Sequence, residues 1–193
     1  MPSVSWQRLT LAGFGCYRQR VTVTFQEGLN VLVAPNEKGK STLIAGLEAV
    51  LFGLPNTSNP ETFGSARFTS WEEAEQFEGE VEFRVDGRTY AIRRLFATNR
   101  VTIRSKNGSG WEETWRGTHN PGAHRRNPAY LDYLNELLGM TSRELFEATF
   151  CLGQPLPQGK ALNSEVQKLL SGSGGHYQEA LAELAAGLKD LTR

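Results

Sequence analysis

Hydrophobic and polar positions along the chain change period several times, and each change predicts an element. Val21, Val23 and Phe25 alternate with polar neighbours, as in a strand buried on one face. Glu27-Gly28 predicts a turn, and Leu29 to Val33 is then a nearly continuous apolar run, the pattern of a strand covered on both faces. A Pro-containing loop follows, Ala34 to Gly39. From Lys40 the period lengthens: Leu43, Ile44, Leu47, Val50 and Leu51 share one face of a helix that Gly53 is expected to end. Residues 54–70 are rich in Pro, Asn, Ser, Thr and Gly and read as a loop. Val81, Phe83 and Val85 alternate up to Asp86-Gly87, a pair suited to a tight hairpin turn. Tyr90 and Ile92 alternate on the returning strand, Val101 and Ile103 on a third, and Asn107-Gly108 marks another turn before Trp111 and Trp115. This region is predicted to be an antiparallel meander.

Beyond a polar loop over 117–128, Leu131, Leu134, Leu137 and Leu138 place a helix over Tyr130 to Leu138. Thr141-Ser142-Arg143-Glu144 has capping-box spacing and predicts a second helix, which runs toward Phe150 and stops before Pro155 and Pro157. After Gly172 to Gly175, Tyr177, Leu181, Leu184, Leu188 and Leu191 recur at heptad spacing. An amphipathic surface helix has the same pattern; the reading adopted is the start of a coiled coil, because the seam is still running at the last residue. The expected organisation is a globular lobe over 1–176 and the beginning of an arm over 177–193.

The chain has 193 residues, of which 39% are hydrophobic, enough for one ordinary core. Lys plus Arg and Asp plus Glu both number 21, so a polycation coating nucleic acid with its whole surface is excluded. The balance conceals segregation. Residues 72–82 hold six Glu and no base, whereas 84–126 hold ten Lys or Arg against three acids. Two readings stand: a solvated hairpin surface, or a basic face for a phosphate backbone or acidic partner. No apolar run approaches the ~18 residues of a membrane helix, and the N-terminus lacks a secretory pattern, so a cytoplasmic location is expected. The two cysteines, Cys16 and Cys151, are expected to be buried thiols in a reducing compartment. His119, His124 and His176 show no ligand spacing.

The chemistry concentrates in Ala34-Pro35-Asn36-Glu37-Lys38-Gly39-Lys40-Ser41-Thr42, which fits the phosphate-loop pattern G-x-x-x-x-G-K-[ST] except that Ala34 replaces the first Gly. A tight strand-to-helix loop aims successive backbone N–H groups inward as an anion nest, and the helix start adds its positive dipole end. Gly39 permits close approach of the backbone, Lys40 is placed to reach the β- and γ-phosphates, and the Ser41 hydroxyl is placed for Mg²⁺. If Ala34 needed a positive φ it would be strained. The motif alone leaves open a small self-contained kinase or GTPase and a non-catalytic scaffold.

At these residues the chain resembles the N-terminal half of the ATPase head of SMC-, RecF- and SbcC-type proteins, closest to the SbcC and YhaN branch. Leu11-Ala12-Gly13-Phe14-Gly15 is similar to that family's opening strand and turn, Val21 to Val33 to its hairpin, and Ala34 to Thr42 to its G-P-N-x-x-G-K-S-T loop. Gly153-Gln154 resembles its Q-loop, and the heptads resemble the first turns of its arm. The resemblance implies an α/β P-loop NTPase, the N-terminal lobe of an ABC-type head carrying an antiparallel β meander and the start of a coiled coil. It implies ATP and Mg²⁺ as ligands. Asn36, Glu37, Lys38, Gly39, Lys40, Ser41 and Thr42 would hold nucleotide, Lys40 and Gln154 would serve catalysis, and Ser41 and Gln154 would hold the metal. Gln154 has an alternative reading as a polar residue in a Pro-rich turn. Phe14 to Arg18 corresponds to a turn near the nucleotide, with core Phe14 and surface Arg18 as the alternative.

The family's Walker B strand and signature lie beyond its coiled coil, and neither is found in this sequence, so the chain is expected to be an N-terminal fragment. The implied partners are a C-terminal lobe, a second head forming a homodimer around ATP, DNA, and an SbcD-like nuclease. The implied setting is DNA repair or DNA-end processing at the nucleoid. Arg88, Arg93, Arg94, Arg100 and Arg104 are candidate contacts to DNA or a partner.

Overall fold

A computed structural model of the chain describes residues 3–69, 76–122, 128–140 and 142–149. Six strands form one antiparallel sheet: β1 (Val4–Ala12), β2 (Val21–Thr24), β3 (Glu78–Val85), β4 (Arg88–Leu95), β5 (Arg100–Asn107) and β6 (Gly110–Thr118), in the order β2-β1-β3-β4-β5-β6. The predicted meander is β3 to β6. Asp86 and Gly87 both have positive φ, 46° and 85°, which closes the β3–β4 hairpin as the Asp-Gly pair requires. Sequence reading recovers only the end of β1, whose alternation is interrupted by an irregularity in its pairing with β3 between Trp6 and Arg8.

Register sorts the side chains. Leu9, Val81, Ile92 and Ile103 lie opposite one another across four strands, and all are buried. This face carries α1 (Lys40–Phe52), and from α3 (Pro128–Leu138) Tyr130 reaches Arg94 and Trp115 on it. Close packing of α1 depends on absent side chains: a Cβ on Gly46 would lie 2.3 Å from Leu11 Cδ1, and one on Gly79 would lie 2.5 Å from Val50 Cγ2. Leu43, Leu47, Val50 and Leu51 are buried as the helical period predicts, whereas Ile44 is exposed. In α3, Tyr130, Leu134 and Leu138 are buried. The loop after α1 contains one short helical turn, α2 (Ser65–Phe68), which carries Phe68 to stack on Phe14, the ring centroids 4.8 Å apart.

The opposite face of the sheet is polar, and here the segregated charges meet. Glu78 receives Arg20 and Arg93, both at 2.5 Å; Glu80 receives Arg104 at 2.8 Å, and Glu82 receives Arg8 at 3.0 Å. The acidic strand β3 is thus flanked by its counter-charges. Burial raises the Glu78 carboxyl, but the hydrogen bonds from Arg93 and Arg20 outweigh it and hold the group below its ordinary range.

One expectation fails. Leu29 to Val33 is not a strand covered on both faces: no strand is assigned there, and Leu29, Val31 and Val33 are 90%, 73% and 86% exposed. The turn before it forms as predicted, with Gly28 at φ 81°, but it is sealed by the Asn30 side chain, which bonds Gln26 N–H and the Gln26 carbonyl, at 2.8 and 2.9 Å. A doubly buried strand needs pairing neighbours, and the described residues supply none for this segment.

The chain divides into two units, Met1–Thr141 and Ser142–Arg193. In the second, the helix α4 (Arg143–Thr149) is capped by the Ser142 hydroxyl, which accepts from Leu145 N–H at 3.2 Å. The cap is therefore one residue later than the Thr141 register predicts. Phe150, Cys151, Gln154 and the heptads over 177–193 lie outside the described residues.

Candidate nucleotide-binding site

The exposed apolar segment leads directly into the loop Ala34–Gly39, and α1 starts at its end. Glu37 has φ 64° and Gly39 φ 86°, so left-handed residues alternate with the others and turn the chain through a concave bend. Ala34 has no positive φ, so the substituted first position carries no backbone strain; that conformation falls on Glu37. Gly39 is the N-cap of α1, no side chain caps the helix, and its first turn contains no acid. The amides of Lys40, Ser41 and Thr42 therefore open the 13-residue helix with donors and dipole available to an anion.

Sequence-predicted residues converge here. Asn36, Glu37 and Lys38 form the exposed outer bend and Gly39 is buried at its base. The Lys40 ammonium folds back over the loop and donates to the carbonyls of Ala34 and Pro35, at 2.6 and 2.7 Å. The Ser41 side chain is exposed at the helix start and Thr42 is half-buried beside it. Amides, an ammonium and a hydroxyl thus gather at the start of α1, a set of donors suited to an anion. Gln154 lies outside the described residues, which also contain no group of three His, Cys, Asp or Glu able to hold a metal.

The early turn closes on this loop. Phe14 and Tyr17 exchange backbone hydrogen bonds at 3.1 and 3.0 Å, Phe14 is fully buried, and Arg18 is exposed. The Tyr17 hydroxyl donates to the Gly39 carbonyl at 2.9 Å. A Cβ on Gly39 would lie 2.6 Å from both Cys16 Sγ and Tyr17 Oη, so a second reason for glycine there is space. Cys16 is exposed, contrary to expectation, because the turn projects it off the sheet and onto the loop. Beside Ser41 and Thr42, a pocket of about 310 Å³ is lined further by Gly15, Cys16, Phe63 and Arg67. In the sequence Phe63 and Arg67 lie within the predicted loop over 54–70, where an aromatic and an arginine in a Gly/Pro-rich stretch are the available signal.

The candidate basic surface needs correcting. Arg94 is wholly buried, not surface-exposed, and Arg93 and Arg104 are paired with glutamates. On the open face of β4–β6 a groove of about 530 Å³ remains, lined by Arg93, Arg100 and Arg116 with Leu95 and Thr102.

A family model described as an AAA domain matches residues 8–186. The chain is also 36% identical over 85 residues to the DNA double-strand break repair Rad50 ATPase of Thermoplasma acidophilum, a match covering 44% of this chain and 8% of that protein. The matched part is thus less than a tenth of the relative's length. With nearly the whole chain matched by that model, the chain belongs to the AAA-domain family.

Proposed function

We propose that the chain is the N-terminal ATP-binding lobe of an SbcC-like ATPase acting in DNA repair or DNA-end processing. The observation that carries this reading is the uncapped start of α1 beneath a loop with left-handed Glu37 and Gly39, bridged by Lys40. In this reading Lys40 exchanges the carbonyls of Ala34 and Pro35 for the β- and γ-phosphates, and Gly39 to Thr42 donate amides to the phosphate chain. Asn36, Glu37 and Lys38 form the rim, and ribose and base extend into the pocket of Phe63 and Arg67. Ser41 and Gln154 would be this chain's ligands to Mg²⁺, which when bound would neutralise the phosphates and polarise the γ-phosphoryl group. Hydrolysis requires a C-terminal lobe supplying the Walker B carboxylate and a second head supplying the signature, so this chain alone is inactive.

The same reading gives the apolar Leu29–Val33 segment and Ile44 an occupant, the strands of that C-terminal lobe. It assigns residues 1–176 to the lobe and 177–193 to the base of a coiled-coil arm. DNA is the polymeric partner, with the groove of Arg93, Arg100 and Arg116 as one contact, and an SbcD-like nuclease is the enzymatic one. The test is titration of a fluorescent ATP analogue with Mg²⁺. The chain is expected to bind, Lys40→Ala to lose at least tenfold in affinity, and Ser41→Ala to lose the Mg²⁺ dependence. Equal binding by all three proteins would refute the site.

A further inference from the structure

The turn before β2 contains a hydroxyl with a specific task at the phosphate loop. Its base is fixed in the core: Phe14 is fully buried with its ring 4.8 Å from Phe68 and 5.2 Å from Phe96, and Gly15 N–H donates to the Phe68 carbonyl at 2.7 Å. Its tip bears on the loop, where the Tyr17 hydroxyl reaches a carbonyl 22 residues further along the chain. That carbonyl, of Gly39, receives two donors, Leu43 N–H at 3.0 Å and Tyr17 Oη at 2.9 Å.

The consequence follows from peptide geometry. The Gly39–Lys40 peptide unit is planar, and in its trans form the C=O and N–H point in opposite directions. A carbonyl held toward the helix and Tyr17 obliges the Lys40 N–H to point out of the helix start, toward the concave loop. Glycine crosses between left- and right-handed conformations at little cost, so Gly39 alone does not enforce this orientation. From this we infer that Tyr17 is a positioning residue of the phosphate loop: its hydroxyl locks the Gly39–Lys40 peptide with its amide aimed at the phosphate chain. The inference rests on the phosphate-loop reading above. Burial and the neighbouring Cys16 both push the Tyr17 phenol above its ordinary value, so the hydroxyl keeps its proton throughout the neutral range.

The variant Tyr17→Phe keeps the ring and removes the donor. Calorimetric titrations with Mg²⁺–ATP and with inorganic tripolyphosphate separate a role through the loop from a role at the base. Tyr17→Phe is expected to weaken both ligands by the same factor, about three- to tenfold, the worth of one hydrogen bond. Its melting midpoint is expected to stay within about 2 °C of the parent, the scale of a change below 1 kcal/mol in a domain of this size. The Leu43 amide, which shares the acceptor, is expected to shift in the ¹⁵N–¹H spectrum of the ligand-free variant. Unchanged affinity for both ligands, loss for ATP alone, or a fall in melting midpoint with unchanged affinity would each overturn the assignment. If the parent bound neither ligand, the phosphate-loop reading itself would fail and take this one with it. If the parent binds and the variant binds equally, only the role of Tyr17 fails.

Discussion

Arg94 offers the sharpest test of how the lobe is held together. It stands on the helix-facing side of β4 with its guanidinium fully out of water. Nε donates to the Val50 carbonyl at 2.9 Å, Nη2 to Leu51 at 3.2 Å and Nη1 to His119 at 3.0 Å, and the group lies 5.1 Å from the Tyr130 ring centre. Val50 and Leu51 belong to the last turn of α1, whose carbonyls have no partner within the helix and whose negative dipole end favours a cation. Burial lowers the affinity of Arg94 for its proton, yet an arginine remains charged at neutral pH. In Arg94→Met the length is kept and the donors vanish. The Val50 and His119 carbonyls each lose a donor at about 1–3 kcal/mol, whereas the Leu51 carbonyl keeps the Tyr130 hydroxyl. Against this, the variant is relieved of dehydrating an ion, worth several kcal/mol. With the cation also lost from the end of α1 and from the Tyr130 ring, the net loss expected is about 2–4 kcal/mol. At about 2–4 °C per kcal/mol, the melting midpoint followed by circular dichroism at pH 7 falls by about 4–16 °C. Arg94→Lys keeps the charge and part of the bonding and recovers only part of the loss. A midpoint for Arg94→Met within about 2 °C of the parent would mean that the Arg94 donors do not hold the end of α1 to the sheet.

Three other outcomes follow from the geometry. Gly39→Ala places a Cβ 2.6 Å from Cys16 Sγ and Tyr17 Oη at φ 86°, so nucleotide affinity should fall at least tenfold while α1 remains helical; titration with Mg²⁺–ATP checks this. Glu78, with its carboxyl held low beside Arg93 and Arg20, contributes stability above its unfolded value of about 4.5 that disappears as pH falls through the lowered folded value. Glu78→Gln should therefore lose about 1–2 kcal/mol at pH 7, discounted because both arginines are half-exposed, and should flatten the acid limb of the stability curve; denaturant melts from pH 7 to 2 measure both. Reversing Arg93, Arg100 and Arg116 together to Glu should weaken duplex DNA binding by the head assembled with its C-terminal lobe and reduce the slope of log affinity against log salt; unchanged binding would remove DNA from the groove.

What the sequence made legible was local. Alternation located β3, β4 and β5, the 3.6 period located α1 and α3, and Asp86-Gly87 fixed a hairpin, because each signal is complete within a few residues. The loop before α1 and the start of that helix were legible for the same reason. The role of Arg94 was not, since a charged residue in an alternating strand reads as surface until α1 is placed over it. The charge run of residues 84–126 left two readings open, because the partners of Arg93 and Arg104, Glu78 and Glu80, meet them only through strand register. Leu29–Val33 reads as a buried strand and is exposed, because periodicity reports what a segment needs, not whether the neighbours that satisfy it are present. The contact between Tyr17 and Gly39 spans 22 residues and leaves no periodic trace.

In the proposed function the amides between Gly39 and Thr42 bind a triphosphate. The most direct measurement is the ¹⁵N–¹H spectrum of the chain during titration with Mg²⁺–ATP. The largest shifts are predicted at Gly39, Lys40, Ser41 and Thr42, repeated with tripolyphosphate and lost in Lys40→Ala. A spectrum in which these four amides stay fixed at millimolar nucleotide, or in which the shifts fall on another surface, would contradict it.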